Sequence, residues 1–392
     1  MTRLTAGDGE GRPRGRPRVA VVIPKYGLIG GGERFARELT ERLARTGKYE
    51  FHVFANRWNP GRAEIAFHKV PMLRFPRSLR PLGFAWFADR MVAKGNFDLV
   101  HAHERIFRAD VFSVHSVPHA GWVRDVRRKR PSLFDRATIR VEKTMMAGER
   151  SVFLPVSTMA GEAFAREYGV DPARIRVVHP GVDIERFSVP DRGSCRREIR
   201  LRYGIGPAEI VVLFVGMNFE VKGLDGIMAS LAGARRSHPG RSIRLLVVGK
   251  GNVGEYGRIA RKLGLADSVV FAGPQPEGME RFYLASDIFM MLSRYDTFGM
   301  AVLEAMAARL PVIISPGVGA KDLVDDGKNG FVVENACDAD SVAERIGLLL
   351  EEDLRARMGE AAFCTAGRHS WDAMAAQVEG IYEEKIDRGR NR

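Results

Sequence analysis

The stretch "RVAVVIPKYGLIGGGERFARELTERLART" (residues 18–46) contains an apolar run, a glycine run and a segment with helical periodicity that ends before Gly47. The apolar run, 18–24, is rich in valine and has the length of a buried strand. Strand, loop and helix in this order form the repeating unit of parallel sheets with helical crossovers. The stretch therefore predicts an α/β fold.

The same alternation continues along the chain in two further series of apolar runs. The first series is "YEFHVFA", "FDLVHAHE", "DVFSVHS", "VFLPVST" and "IRVVHPGVD", and the second is "EIVVLFVG", "SIRLLVVGKG", "SVVFAG", "DIFMMLS", "PVIIS" and "GFVV". We predict two Rossmann-like domains that face each other across a cleft, with the ligand at the carboxyl ends of the strands. The predicted segments are a disordered basic tail at 1–17, an N-terminal domain at 18–190, a linker at 191–208, a C-terminal domain at 209–368, and a C-terminal helix at 369–392 that packs back towards the N-terminal domain.

The composition is typical of a globular protein, with 392 residues, of which 45% are hydrophobic and 28% charged. No apolar run reaches the ~18 residues that a membrane span needs. The N-terminal residues lack the apolar middle of a secretory signal. The three cysteines, Cys195, Cys337 and Cys364, fit neither a zinc spacing nor a disulfide framework. We therefore expect a cytoplasmic protein.

Asp296 and Glu304 stand on either side of a Phe-Gly turn, with seven residues between them. A helix that started just after Asp296 would separate the two acids by about 12 Å along its axis, too far to share a proton or one metal ion. That distance matches the reach from the sugar of a nucleotide sugar, past its diphosphate, to its ribose. Carboxylates accept hydrogen bonds from adjacent hydroxyls, and the first amides of a helix suit a diphosphate. Two unrelated acids, one at a helix start and one on its surface, are the alternative.

The surroundings of the acid pair resemble the family 4 retaining glycosyltransferases. Their pattern is an acid, a Phe-Gly turn, Glu-Ala-Met-Ala and a Pro-Val-Ile strand, and "RYDTFGMAVLEAMAARLPVIIS" follows it. The other segments that resemble the family are "GGGERFARELTERLA", "FDLVHAH", "FSVHS", "VVHPGVDIERF", "KGLDGIMASL", "LLVVGKG", "SVVFAGPQP" and "GVGAKDLVDDGKNGFVV". They keep the family's order over roughly residues 18–385. Within the family, the chain looks most like the enzymes that glycosylate the lipopolysaccharide core.

The resemblance implies a GT-B fold, in which the N-terminal domain binds the acceptor and the C-terminal domain a nucleotide sugar. It implies that Asp296 contacts the donor sugar and that Glu304 holds the ribose, although the family usually has Glu at the first position. It further implies that Lys222 binds the donor diphosphate and that His115 lies near the reacting sugar. The remaining predicted donor contacts are Gly31, Gly32, Thr297, Phe298, Gly299 and Met300. The second diphosphate-binding cation of the family has no counterpart at Met217, Asn218 or Phe219.

The predicted activity is retaining, metal-independent transfer of a hexose from a nucleoside diphosphate sugar, with a UDP-sugar favoured. The predicted acceptor is a phosphorylated or lipid-linked glycan, with lipopolysaccharide core preferred. No essential metal or other cofactor is expected. Three alternatives stay open: a nucleotide-sugar epimerase of the same fold, a dehydrogenase that binds nicotinamide through "GKGNVG", and a basic nucleic-acid-binding protein without enzymatic activity.

The charge favours anionic partners, because 61 Lys and Arg face 48 Asp and Glu for a net charge of +13. Two stretches, 73–91 and 124–143, mix cations with aromatic or aliphatic residues, as membrane-surface segments do. Nucleic-acid binding or solvated loops would use the same residues. Since family acceptors are often phosphorylated lipid-linked glycans, we favour a peripheral contact with the anionic inner face of the cytoplasmic membrane, or with acceptor phosphates, and expect no nucleic-acid partner.

Two motifs suggest other chemistry. "GKGNVG" (249–254), with Asp267 beyond it, satisfies a dinucleotide fingerprint, which would indicate an oxidoreductase. It follows a strand in the middle of the second domain, however, and not the domain's first strand. "DAD" (338–340) resembles an Asp-x-Asp metal motif, but it directly precedes a helical segment, so helix capping explains it better. His101 and His103 are predicted to be packing or loop residues.

Overall fold

The computed structural model describes residues 15–28, 30–61, 63–73 and 75–390, so most of the predicted tail at 1–17 lies outside the described residues. In this part of the chain, no helix is both long and apolar enough to cross a membrane. The strands are β1 (Arg18–Val22), β2 (Lys25–Tyr26), β3 (Glu50–Ala55), β4 (Arg57–Trp58), β5 (Ala66–Lys69), β6 (Leu99–Ala102), β7 (Val111–Val114), β8 (Val152–Pro155), β9 (Ile210–Met217), β10 (Ile243–Lys250), β11 (Val269–Gly273), β12 (Ile288–Met291), β13 (Val312–Ile314) and β14 (Gly330–Val332).

Helices connect most of these strands. They are α1 (Gly31–Arg45), α2 (Arg80–Val92), α3 (His119–Gly121), α4 (Leu133–Ala147), α5 (Thr158–Tyr168), α6 (Glu185–Ser188), α7 (Arg192–Arg202), α8 (Leu224–Ser237), α9 (Val253–Lys262), α10 (Met279–Ala285), α11 (Met300–Ala307), α12 (Ala339–Leu348), α13 (Glu352–Arg368) and α14 (Trp371–Arg390). Short 3₁₀ turns occur at Arg77–Leu79, Pro172–Arg174 and Gly319–Leu323, and a π-helical turn at Trp122–Val126.

Two six-stranded sheets confirm the predicted α/β fold class. Their strand orders are β5-β3-β1-β6-β7-β8 and β11-β10-β9-β12-β13-β14, and the registered pairs in both are parallel. The strands β1 and β9 each lie in the interior of their sheet, with neighbours on both sides. Both runs are valine-rich, as strands covered on two faces must be. The opening stretch thus forms β1, a glycine loop and α1, as its pattern predicts.

The chain forms two compact units. Unit 1 comprises the described residues up to Ser113, together with Val123–Val152 and the residues from Val378 onward. Unit 2 comprises Val114–Trp122 and Phe153–Gln377. The predicted boundary near residue 190 therefore lies inside unit 2. Segment 153–190 associates with the rest of that unit through contacts such as the ion pair of Arg186 with Glu280.

Two segments differ from the pattern-based expectation. "IRVVHPGVD" (175–183) forms no strand and makes only isolated bridges at Ile175 and Val182, because Pro180 and Gly181 interrupt the run. The predicted linker, 191–208, is largely the helix α7, whose N-cap Asp191 accepts a hydrogen bond from the Ser194 amide. Most of the segment predicted as a C-terminal helix, 369–392, is the helix α14, Trp371–Arg390.

Candidate active site

The loop between β12 and α11 carries Asp296 on a backbone tied to the next loop of unit 2. Its amide donates to the Gly317 carbonyl at 2.8 Å, and its carbonyl accepts from the Gly319 amide at 2.9 Å. The helix α11 begins only at Met300, not just after Asp296 as the sequence suggested. The reason is Gly299, which has φ of 87° and turns the chain sharply before the helix. The 12 Å helical separation therefore does not apply to this acid pair.

Lys222 and Asp296, both predicted donor residues, form an ion pair through the Lys222 ammonium and the Asp296 carboxylate. Their side chains are 21% and 15% exposed, so a small ligand can still reach them. Lys222 follows β9, and the next residue, Gly223, has φ of 73°. A Cβ at Gly223 would lie 2.1 Å from the Leu292 carbonyl oxygen, so only glycine lets the lysine turn approach the β12 loop this closely. The Lys-Gly pair of the sequence thus brings a cation to the predicted acid.

Glu304 lies on α11, and its carboxylate accepts a hydrogen bond from the Tyr283 hydroxyl at 3.0 Å. Tyr283 is fully buried on α10, whereas Glu304 is half-buried. A carboxylate has two oxygens and about four lone pairs, and the contact with Tyr283 orients one of these oxygens. The sequence pattern did not identify Tyr283.

The four residues from Thr297 to Met300 divide into two groups. The Thr297 carbonyl accepts from the Ser157 hydroxyl at 2.6 Å, and its own hydroxyl donates to the His115 carbonyl at 3.1 Å. Phe298 is buried, and its amide points to Asp296 Oδ1 at 3.3 Å. Gly299 and Met300 begin α11, where amides have no acceptor in a preceding turn and the helix dipole attracts anions. Thr297 and Phe298 therefore position the loop, and the helix-start amides, which suit an anion, begin at Gly299.

His115 directly follows β7, as predicted for a residue at the carboxyl end of a strand. The side chain keeps some exposed surface, yet the protein around it removes water from the imidazole and lowers its pKa to about 4. The ring is therefore neutral at pH 7, a state that hydrogen-bonds to hydroxyls and does not add positive charge.

Gly31 and Gly32 form the first turn of α1 in unit 1, whereas Lys222, Asp296 and Glu304 belong to unit 2. A Cβ at Gly31 would meet no atom within 4 Å among the described residues. Packing therefore does not require glycine at this position, which leaves close approach of a ligand as a reason for it. The role of both glycines as donor contacts stays a prediction. His101 is buried in β6, where its ring nitrogens lie 2.6 Å from the Tyr382 hydroxyl and 2.9 Å from Ser113 Oγ.

A cluster that the sequence analysis missed supports the loop next to Asp296. Asp322 accepts hydrogen bonds from the Thr158 amide at 2.6 Å and from His179 Nε2 at 3.0 Å. Burial would raise the pKa of Asp322, but these hydrogen bonds outweigh it and hold the pKa below its usual value. His179 and Asp322 both lie in segments that resemble the family, "VVHPGVD" and "GAKDLV", which was the available signal.

The two misleading motifs have structural explanations. At Gly249, a Cβ would lie 1.9 Å from the Gly216 carbonyl oxygen, and at Gly251 it would collide with the Phe219 ring. These glycines therefore permit close packing at the ends of β9 and β10. Asp338 caps α12, where its carboxylate accepts from the Ser341 amide at 3.1 Å, as predicted. Among the described residues, no cluster of three or more His, Cys, Asp or Glu could hold a metal ion.

Comparison with protein families gives two matches that together span most of the chain. The family described as "Glycosyltransferase Family 4" matches residues 29–186, and "Glycosyl transferases group 1" matches residues 196–364. The chain belongs to the family 4 glycosyltransferases. The predicted family is therefore confirmed, and the protein is an enzyme of the glycosyltransferase class.

Curated relatives of this glycosyltransferase carry the name D-inositol 3-phosphate glycosyltransferase. The protein from Acidothermus cellulolyticus is 28% identical over 97% of this chain and 93% of its own length. The protein from Corynebacterium kroppenstedtii is 33% identical over 60% of this chain. In that second case, the match spans about half of the relative, 54% of its length.

Solved structures confirm the GT-B fold of this glycosyltransferase. WaaG, a glycosyltransferase involved in lipopolysaccharide biosynthesis, is similar with a TM-score of 0.76 and 20% identity, over 93% of this chain and 99% of WaaG. Anabaena HepE in complex with UDP-glucose has a TM-score of 0.71 and 18% identity, over 94% of this chain and 99% of HepE. At these identities the comparison establishes the fold.

Proposed function

We propose that this glycosyltransferase moves a hexose, with retention of configuration, from a nucleoside diphosphate sugar to a hydroxyl of a growing cell-surface glycan. A UDP-sugar is the favoured donor, and lipopolysaccharide core is the proposed acceptor. The observation that carries the proposal is the Lys222–Asp296 ion pair, which lies beyond the carboxyl ends of β9 and β12 and just before the first amides of α11.

Donor binding would exchange the partners of this ion pair. The Lys222 ammonium would move from Asp296 to the diphosphate, because two negative phosphates attract it more strongly than one carboxylate. Asp296 would then accept hydrogen bonds from the sugar hydroxyls, and Glu304, oriented by Tyr283, would hold the ribose. Asp296 is one methylene shorter than the usual glutamate, so its contact would be looser or would suit a different sugar.

The proposed chemical step uses charge stabilisation and no protein nucleophile. As the bond between the sugar and the diphosphate breaks, negative charge develops on the leaving phosphate, and Lys222 and the first amides of α11 would stabilise it. An oxygen of the leaving diphosphate would take the proton of the acceptor hydroxyl on the same face of the sugar. Neutral His115 would hydrogen-bond to the donor sugar near the reacting carbon. The proposal includes no essential metal.

The names of the curated relatives favour a second candidate acceptor, inositol 3-phosphate. A phosphorylated cyclitol and a phosphorylated core glycan both offer hydroxyls beside an anionic group, and the net charge of +13 suits either one. Transfer assays with each acceptor and radiolabelled donor would separate the two, because each product has its own size and charge.

The first test is thermal unfolding with UDP-, GDP- and ADP-sugars and with NAD, on the wild type and on Glu304→Gln. A ligand that binds the folded state raises the melting temperature. We expect one sugar nucleotide to stabilise the wild type and to lose most of its effect in Glu304→Gln. The exposed Glu344→Gln on α12 is the matched control and should respond like the wild type. A response to NAD alone, or to no sugar nucleotide at millimolar concentration, would refute the proposal.

A further inference from the structure

One surface of unit 1 brings together the two stretches that mix cations with apolar residues. It consists of the turn at 75–79, α2 and α4, and we name it the α2–α4 face. A groove of about 780 Å³ runs along it, and its lining includes Leu79, Leu82, Leu133, Arg136, Arg140 and Lys143. A second groove, of about 340 Å³, shares Leu79 and Leu82 with the first and is lined by apolar residues alone.

Large apolar side chains of this face project into solvent. Phe75 is 87% exposed, Leu133 is 70% exposed and Trp86 is 50% exposed. Single exposed apolar residues are common on protein surfaces, but adjoining exposed apolar residues beside an apolar groove indicate an interaction site. The indole of Trp86 also carries the guanidinium of Arg90 at 5.3 Å from its ring centre, which places a cation beside the aromatic ring.

The charges of α4 are sorted by side of the helix. Arg136, Arg140 and Lys143 are exposed and follow one another at helical spacing, and among the described residues none of the three forms a salt bridge. The two acids of the same helix, Asp135 and Glu142, are buried and paired with Arg127 and Arg105. The outward surface of α4 is therefore cationic, although the helix as a whole contains both signs.

We propose that the α2–α4 face docks this enzyme on the surface of an anionic lipid bilayer. Exposed Phe, Leu and Trp would enter the interface below the headgroups, and the arginines and lysine beside them would remain at the level of the lipid phosphates. A nucleic acid would use the cations but would leave Phe75, Leu133 and the apolar groove without a partner. The proposal does not rest on the donor site, because none of these residues belongs to it.

The first experiment is cosedimentation of the full chain with phosphatidylcholine vesicles, with and without phosphatidylglycerol. We expect binding only to the vesicles that contain phosphatidylglycerol. Removing three charges with Arg136→Gln, Arg140→Gln and Lys143→Gln should weaken it by roughly a hundredfold. The matched control is Arg258→Gln, Arg261→Gln and Lys262→Gln on α9, a cationic, exposed segment of unit 2 that should leave binding unchanged. Equal loss in both triple variants, or equal binding to both kinds of vesicle, would overturn the proposal.

A second experiment tests insertion of the apolar residues separately from charge attraction. Brominated acyl chains quench tryptophan only at short range, so they should quench the wild-type protein on anionic vesicles and quench Trp86→Phe much less. Leu133→Ser should weaken vesicle binding about tenfold, close to the loss of one buried apolar side chain. The control, Leu201→Ser, changes a leucine that is 86% exposed on α7 and should have no effect. Quenching that is the same in Trp86→Phe, or an RNA oligomer that binds while vesicles do not, would refute bilayer docking.

Donor-induced stabilisation distinguishes failure of this proposal from failure of the proposed function. The vesicle-binding variants should keep the melting-temperature response to the sugar nucleotide that the wild type shows. A variant that loses vesicle binding and keeps this response is folded and supports docking by this face. A variant that loses both vesicle binding and the melting-temperature response has a damaged fold. That result would count against the α2–α4 face as a surface separate from the donor site.

Discussion

Two pairs of acids have similar spacing in the sequence, Asp135 with Glu142 and Asp296 with Glu304, but they differ in their exposure to solvent. Asp135 and Glu142 lie on α4, are nearly inaccessible to solvent, and are paired with Arg127 and Arg105. In contrast, Asp296 is paired with Lys222 at a position that solvent still reaches. Removing one member of a buried ion pair leaves the charge of the other member shielded from water, which destabilises the fold. In a partly exposed ion pair, one member can exchange its partner for a charged ligand. The difference indicates that the ion pairs of Asp135 and Glu142 stabilise the fold and that the ion pair of Asp296 with Lys222 is available for binding.

The largest expected effect is on the buried pair. Glu142→Ala should lower the free energy of unfolding by about 3–5 kcal/mol, because it removes the 2.7 Å charge-assisted hydrogen bond to Arg105 and empties the fully buried volume that the Glu142 side chain fills. Urea unfolding followed by circular dichroism would measure the change, with the exposed Glu149→Ala as control. The double variant Arg105→Met with Glu142→Leu should recover most of the loss. A cost below about 1 kcal/mol for Glu142→Ala would contradict the assignment of this pair to stability.

The corresponding substitution in the partly exposed Lys222–Asp296 ion pair should affect the rate of transfer. Lys222→Ala should lower kcat about 10²–10³-fold, because it removes a positive charge aimed at the leaving diphosphate. The melting temperature without donor should change little, since Asp296 remains in contact with water. Lys222→Arg, which keeps the charge, should retain more activity than Lys222→Ala. Steady-state kinetics would measure both, and a Lys222→Ala enzyme with wild-type kcat would contradict the proposed role.

The comparison also shows how far the sequence could predict this molecule. Most strand positions, the parallel sheets and the candidate residues Lys222 and Asp296 were predictable, because periodicity and family motifs are local signals. The ion pair between Lys222 and Asp296 was not predictable, because it joins residues that are 74 positions apart. Burial depends on residues that are distant in the sequence, so the sequence could not show that Glu142 is buried while Glu304 keeps some exposed surface. Nor could it predict the Asp322–His179 contact, which joins residues 143 positions apart. The helix α11 starts at Met300 because Gly299 has a positive φ. A glycine permits a positive φ but does not require it, so the sequence could not predict this start.

A third acid, Asp89 on α2, sharpens the comparison because it is half-buried and forms no ion pair within the described residues. Burial raises its pKa from 3.8 to about 6, and backbone hydrogen bonds from Arg108 and Phe107, together with the positive charge of Arg108, offset only part of this rise. Because the pKa of Asp89 is higher in the folded chain than in the unfolded chain, ionising Asp89 lowers the free energy of unfolding. This loss of stability is complete above pH 6 and disappears as the pH falls towards 3.8.

Asp89→Asn should therefore stabilise the protein at pH 7.5 by about 1–3 kcal/mol and change its stability little at pH 4. Unfolding curves at both pH values would measure the difference, with Asp183→Asn as an exposed control that should show no such pH dependence. An Asp89→Asn variant less stable than the wild type at pH 7.5 would mean that the ionised carboxylate has a stabilising partner. Asp89 would then resemble Glu142, an acid whose negative charge stabilises the fold by contact with a partner.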